Sequence, residues 1–309
     1  MGRAAAHSPT RATEISSRIG SLTRLFPFVQ LDLPGALALA DGRYVLRDGK
    51  RERVLVVETH GAPPPPRRKR RKPRAAVPDT EPRPLPLSRA TLVRAFAAFD
   101  EEVAAERWLE RTTVEEEAID DLVAEAIAIL NQALHVHAIA SAEPHPQAVT
   151  AERAVAARVG YGSGQQVAVG ESSVAREVDV HAGASSRRRR DDELRPQERV
   201  AAVLGGREAL DACETLLLRA RADLDAGRTR EAALQLRVGM EALIVELPDA
   251  LDDPDHTADM RAIEAGRDKA IELATSALAG DLDSDESARL TDLLSICERV
   301  LRRRRILSS

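Results

Sequence analysis

Val159–Ser172 reads VGYGSGQQVAVGES, with four glycines in eleven residues after an alanine-rich, helix-like run. Its reading decides the fold. A glycine loop between a strand and a helix would mark an α/β phosphate-binding chain, whereas glycines that only break helices leave the rest all-α. A dinucleotide loop needs G-x-G-x-x-G. Gly160, Gly162 and Gly164 give G-x-G-x-G, and Gln165 stands where the last glycine belongs. A Walker loop needs two glycines five apart, then Lys and Ser or Thr. Gly164 and Gly170 are six apart, and Glu171 follows. A nucleophile elbow needs G-x-S-x-G, but Ser172 is followed by Ser173 and Val174. The glycines are therefore expected to be punctuation. Gly160 would cap a helix over roughly 150–159, and the others would form a flexible turn.

Downstream, Leu210, Cys213, Leu217, Ala220 and Leu224 step by three and four, as a buried helical seam does. DAGRTRE follows, with Gly227 suited to a helix end and Thr229 to a new N-cap. Ala233, Leu236, Met240, Leu243 and Leu247 trace the returning helix, which Pro248 stops. Residues 207–247 resemble one tetratricopeptide-type helical hairpin in the small-turn-small pattern ARADLDAGRTREAALQL and in Ala242. The unit exceeds that family's 34-residue period and lacks its aromatic and proline positions. What the resemblance implies is protein–protein binding on a helical surface. The last helix should begin at Asp283, with Glu286 reaching back to complete a capping box. Leu290, Leu293, Cys297, Val300 and Leu301 form its stripe, and Arg302–Arg305 complement its dipole.

Upstream, Ile119, Leu122, Val123, Ala126, Leu130, Ala133 and His137 trace one face of a helix that ends before Pro144 and Pro146. Before that the periodicity is of strands. FPFVQLDLPG alternates imperfectly; ALALADGRYVL reads as strand, Asp41-Gly42 turn, strand; ERVLVVETHG and RATLVRAFAAF read as further strands. An amphipathic helix, DEEVAAERWLER, closes the region. The expected fold is an α+β N-terminal domain followed by a larger all-α helical domain, predominantly helical overall. The expected segments are a disordered N-terminus over 1–21, a small antiparallel α+β domain over 22–111 and an all-α domain over 112–309. A Pro/Arg-rich loop over 62–86 interrupts the first domain, and a disordered loop near 181–195 the second.

Composition bounds the chemistry. AVILMFWYC residues make up 43% but aromatics only 2%, so the core must be Ala, Leu, Val and Ile. Lysines number four among 45 basic residues, a skew typical of GC-rich bacterial coding. Two cysteines cannot form a disulfide framework, and both fall on apolar stripes. Buried free thiols in a reducing compartment follow. The N-terminus lacks the apolar core of a secretory signal. The most apolar stretch, 124–142, carries Glu125, Asn131, Gln132, His135 and His137, which a bilayer would penalise. A soluble, cytoplasmic protein with no membrane span is expected.

One charged segment stands apart. From Ala62 to Arg89 the net charge is +7 on a chain of −5, so the remainder sums to −12. Arg67, Arg68, Lys69, Arg70, Arg71, Lys72 and Arg74 are the candidate anion or nucleic-acid contacts, acting through counterion release without base readout. Arg187–Arg190 is offset by Asp191, Asp192 and Glu193. His135 and His137 would point about 200° apart on a helix, which disfavours chelation. Asp253, Asp255, Thr257, Asp259 and Glu264 fit a calcium loop, but Ala258 replaces its turn glycine and Arg261 holds position nine. A helix capped by Asp255 is the expectation. No base–nucleophile pair is evident, and no cofactor, metal or catalytic residue is expected. The preferred function is a non-enzymatic interaction or scaffold protein that uses helical surfaces to bind a protein partner or itself. The alternatives are a nucleic-acid accessory protein acting through residues 67–74, and an enzyme with an interdomain site.

Overall fold

A computed structural model describes residues 24–49, 51–61, 85–180, 196–247 and 254–307. The expectations for residues 1–21, for most of the loop 62–86 and for the loop near 181–195 lie outside them. The chain divides into two compact units, Met1–Ala182 and Gly183–Ser309. An antiparallel sheet builds the first, a helical region follows, and helices take up more of the described chain than strands.

The sheet holds β1 (Leu25–Pro34), β2 (Gly42–Asp48), β3 (Arg51–His60), β4 (Leu87–Val93), β5 (Ala156–Ser163) and β6 (Val174–Val178), in the order β2-β3-β4-β1-β5-β6. Each neighbouring pair is antiparallel. β1 is central and apolar nearly throughout, because both of its faces are covered. Val29, Leu31 and Leu33 face one cluster with Leu55, Val57 and Leu92. Phe26 and Phe28 alternate to the other face with Val54, Val56 and Val93.

Two helices cover the first face, α1 (Glu102–Val114) and α2 (Glu116–Ser141). Leu122, Val123, Ala126 and Leu130 are buried as the periodicity predicts, and Leu134 and Ala138 continue the seam. Ala133 and His137, expected on it, are only half-buried, because the 3.6-residue period has rotated them off. α2 is long and apolar enough to cross a membrane, yet its seam packs with sheet residues such as Leu31 and Leu92.

Three expectations need correction. RATLVRAFAAF is a strand only as far as Val93, and a 3-10 turn covers Ala95–Ala97. Of ALALADGRYVL only 42–46 is strand, the first part of β2. Ser88 Oγ donates to Gly35 O (2.8 Å) and accepts from Leu37 N–H (3.1 Å), diverting 36–40 from the ladder. The largest correction concerns the opening stretch. No helix spans 150–159: a 3-10 turn at Ala151–Arg153 leads into β5, and Gly160 and Gly162 lie inside that strand. Pairing with β1 overrides the local helix propensity of the alanines. A short helix, α3 (Gly164–Val167), and β6 follow, so 112–309 is not wholly helical and the sheet unit extends to Ala182. Ser163 caps α3 in a capping box with Gln166.

The second unit contains α4 (Pro196–Leu204), α5 (Ala212–Asp225), α6 (Thr229–Glu246), α7 (Pro254–Ala279) and α8 (Ser284–Leu307). α5 and α6 pack against each other, with Cys213, Leu217, Ala220, Leu236, Met240 and Leu243 buried in one core. Leu210 lies outside this seam, 60% exposed, because the helix starts two residues later. Thr229 is the first helical residue rather than the cap. The turn is held instead by Arg228, whose backbone N–H and Nε donate to Asp223 O (2.8 Å) and Oδ1 (2.7 Å). The capping box of α8 is as read: Asp283 Oδ1 accepts from Glu286 N–H (2.8 Å), and Glu286 Oε2 accepts from Asp283 N–H (3.0 Å).

Cys213 and Cys297 are free and buried in this core, and burial pushes both thiols up to about 12. Near neutral pH a thiol reagent is therefore expected to leave the folded protein unlabelled and to modify both cysteines once denaturant is added. Rapid labelling of native protein, read by intact mass, would contradict this burial.

Candidate functional site

The seven basic residues singled out in sequence, Arg67, Arg68, Lys69, Arg70, Arg71, Lys72 and Arg74, lie outside the described residues. Of the calcium-loop candidates, Asp253 lies outside the described residues, and Asp255, Thr257, Asp259 and Glu264 lie on α7, whose helical course precludes a wrapped loop. The helix begins at Pro254, one turn position before the expected Asp255 cap. Asp259 is instead engaged by Arg299 (3.2 Å) and Arg303 (3.6 Å). No cluster of three or more His, Cys, Asp or Glu suited to a metal occurs among the described residues.

His137 has a different setting. It lines a cleft of about 490 Å³ at the C-terminal end of α2, with Glu143, His145 and Arg153. Leu33, Leu37, Leu134 and Val149 supply apolar walls. Asn131 pins the returning chain, donating to Val149 O (2.9 Å) and accepting from Val149 N–H (2.7 Å). His135 is half-buried on the same helix and does not line this cleft.

The glycine-rich stretch is joined to a polar network on the sheet. Gln30 Nε2 donates to Gly170 O (2.8 Å) and to Thr91 Oγ1 (3.0 Å). Beside it, buried Asp32 accepts from Arg89 Nε (2.8 Å) and Arg158 Nη1 (2.7 Å). Burial alone would raise the Asp32 pKa, but the two guanidinium hydrogen bonds outweigh it and hold the carboxyl below its usual range. An ionised carboxylate saturated by two arginines is a structural clasp, not a proton acceptor. Gly170, at φ +65°, sits where a Cβ would lie 2.7 Å from Glu58 Oε2. The glycines thus seat residues 164–173 on the sheet.

The second unit carries a surface that the sequence reading missed. α4 buries none of its residues. Val200 is 50% exposed and Leu204 83%, and with Leu210 they edge an apolar groove of about 390 Å³ between Arg199 and Arg305. Both arginines donate to Glu214, Arg199 Nη2 at 2.6 Å and Arg305 Nη2 at 3.1 Å. Arg199 also donates to Glu208 (2.7 Å), and Arg304 pairs with Asp211. Burial would raise the Glu214 pKa, and the hydrogen bonds from Arg199 and Arg305 reverse that. Ion pairs therefore fasten α4 to α5, whose Glu214 also holds Arg305 of α8, and leave the apolar stripe of α4 in solvent. The available signal was Pro196 at a helix start with Val200, Val203 and Leu204 at helical spacing.

Compared with protein-family models, curated proteins and solved structures, the chain matches none.

Proposed function

We propose that the chain is a non-enzymatic interaction protein of the reducing cytoplasm whose helical unit associates with a second copy of itself through α4. The observation that carries this reading is the exposed stripe of Val200 and Leu204 on a helix that buries no residue of its own. A nine-residue helix is marginal without apolar packing. The missing packing can come from the same stripe on a second chain, face to face about a two-fold axis. Leu210 continues the patch, and the Arg199–Glu214–Arg305 clasp fixes its floor. The patch is small, so the dimer is weak and concentration-dependent rather than obligate.

Light scattering across a concentration series should show a monomer–dimer equilibrium. Leu204→Glu with Val200→Glu should weaken it by about tenfold to a hundredfold, from the transfer cost of two apolar side chains. Both positions are solvent-facing in the single chain, so its far-UV circular dichroism should not change. A strict monomer at every concentration would refute the reading.

A further inference from the structure

Three arginines converge on one aromatic ring in the first unit. The Cζ atoms of Arg51, Arg53 and Arg94 lie 5.7, 5.3 and 5.0 Å from the centroid of Phe96. Their placement follows from the sheet. Arg51 and Arg53 share a face at the start of β3 by the two-residue period, and Arg94 follows the end of antiparallel β4. Arg94 N–H donates to Pro27 O (3.0 Å), which fixes the turn that presents Phe96.

The cluster is under-neutralised. Glu125 of α2 accepts from Arg53 (2.6 Å) and lies 3.2 Å from Arg94. Arg51 forms no ion pair among the described residues, and neighbouring Arg47 is occupied by Glu52 at 3.5 Å. Arg94 Nε is shielded from solvent and has that same Glu125 carboxylate as its partner, so one carboxylate serves both Arg53 and Arg94. The ring quadrupole offsets part of the mutual repulsion; an anion would offset the rest. Guanidinium planes beside an aromatic suit phosphoryl oxygens and stacked bases together. Phe96 is 36% exposed, which favours a strand passing over an open surface more than a small molecule needing a concave pocket.

We propose that Arg51 and Phe96, with Arg94 beside them, form a contact site for single-stranded nucleic acid; Arg53, 12% exposed in its side chain and held by Glu125, backs the site from beneath. The site lies at the end of β3 and β4 opposite to where the basic segment 62–84 leaves and re-enters the sheet. Its residues belong neither to that segment nor to α4.

The test is fluorescence anisotropy of labelled oligo-dT with the full chain over a salt series. Phe96→Ala should weaken binding by about fivefold to a hundredfold through lost stacking. Arg51→Ala should lower the slope of log K against log salt by about one. Both side chains reach solvent, and unchanged unfolding curves will show that the variants fold. A duplex of the same length should bind more weakly, and inorganic phosphate should compete only poorly. A chain with its basic residues 67–74 neutralised should still respond to Phe96→Ala. No binding, equal affinity for duplex, or an affinity indifferent to Phe96 and Arg51 would overturn the proposal.

Discussion

Asp32→Ala is expected to lower the stability of the sheet unit by about 3 kcal/mol, the lower end of what removing one partner of a buried ion pair costs. The lower end applies because Arg89 and Arg158 keep 29% and 28% of their side-chain surface in solvent and can partly rehydrate. Asp32 itself is 6% exposed in its side chain, so the aspartate anchors the clasp. Asp32→Asn should cost less, since the amide oxygen still accepts one guanidinium hydrogen bond. Trp108 is the single tryptophan and belongs to this unit, packed 5.7 Å from Phe99, so urea unfolding followed by its fluorescence isolates the sheet. The same probe tests the pH dependence. The folded pKa of Asp32 lies below its ordinary value of 3.8, so its stabilisation is complete above that value and disappears as pH falls through the folded one. The wild-type midpoint should therefore fall under about pH 4, and that portion of the fall should be missing in Asp32→Ala. An alanine variant as stable as wild type would mean that the two arginines need no counter-ion there.

Legibility in the sequence followed the range of the interactions. β1, β3 and β4 are visible because alternation and β-branched runs are local signals, and the pair α5–α6 because its seam repeats every three or four residues. The Asp283–Glu286 box spans one helical turn and is read directly. Features assembled from distant residues left no such trace. Asp32, Arg89 and Arg158 sit on three strands and become neighbours only through the register of β1 with β4 and β5. The arginines around Phe96 come together in the same way. α4 was passed over because it is short and borders an arginine run that reads as a solvated loop. The cleft beside His137 depends on how the chain returns from α2, which no motif encodes. Candidate sites were thus less readable than elements, since a site is made of contacts between elements.

Gly160→Ala should be the sharpest test of the corrected reading of VGYGSGQQVAVGES. A Cβ at this position would lie 2.2 Å from Val174 O, 2.8 Å from Ala175 Cα and 2.8 Å from Phe28 Cζ. Two of these atoms are backbone of β6, and the third is the tip of a fully buried ring. None can yield without parting β6 from β5 or displacing Phe28 from its cluster with Val54 and Val56. The expected loss is about 3 kcal/mol, the upper end of the usual overpacking range, and Gly160→Val should exceed it. Gly162→Ala meets its nearest atom, Val167 Cγ1, at 3.1 Å and should cost less. The comparison is diagnostic because a glycine that merely ends a helix behaves differently. There, alanine costs about 1 kcal/mol through the left-handed backbone alone, whatever the distant partner. The strand reading adds a coupling: truncating Phe28 to leucine should recover part of the Gly160→Ala loss in a double-mutant cycle. Additive costs, or a Gly160→Ala variant with wild-type stability, would return these glycines to the role of punctuation.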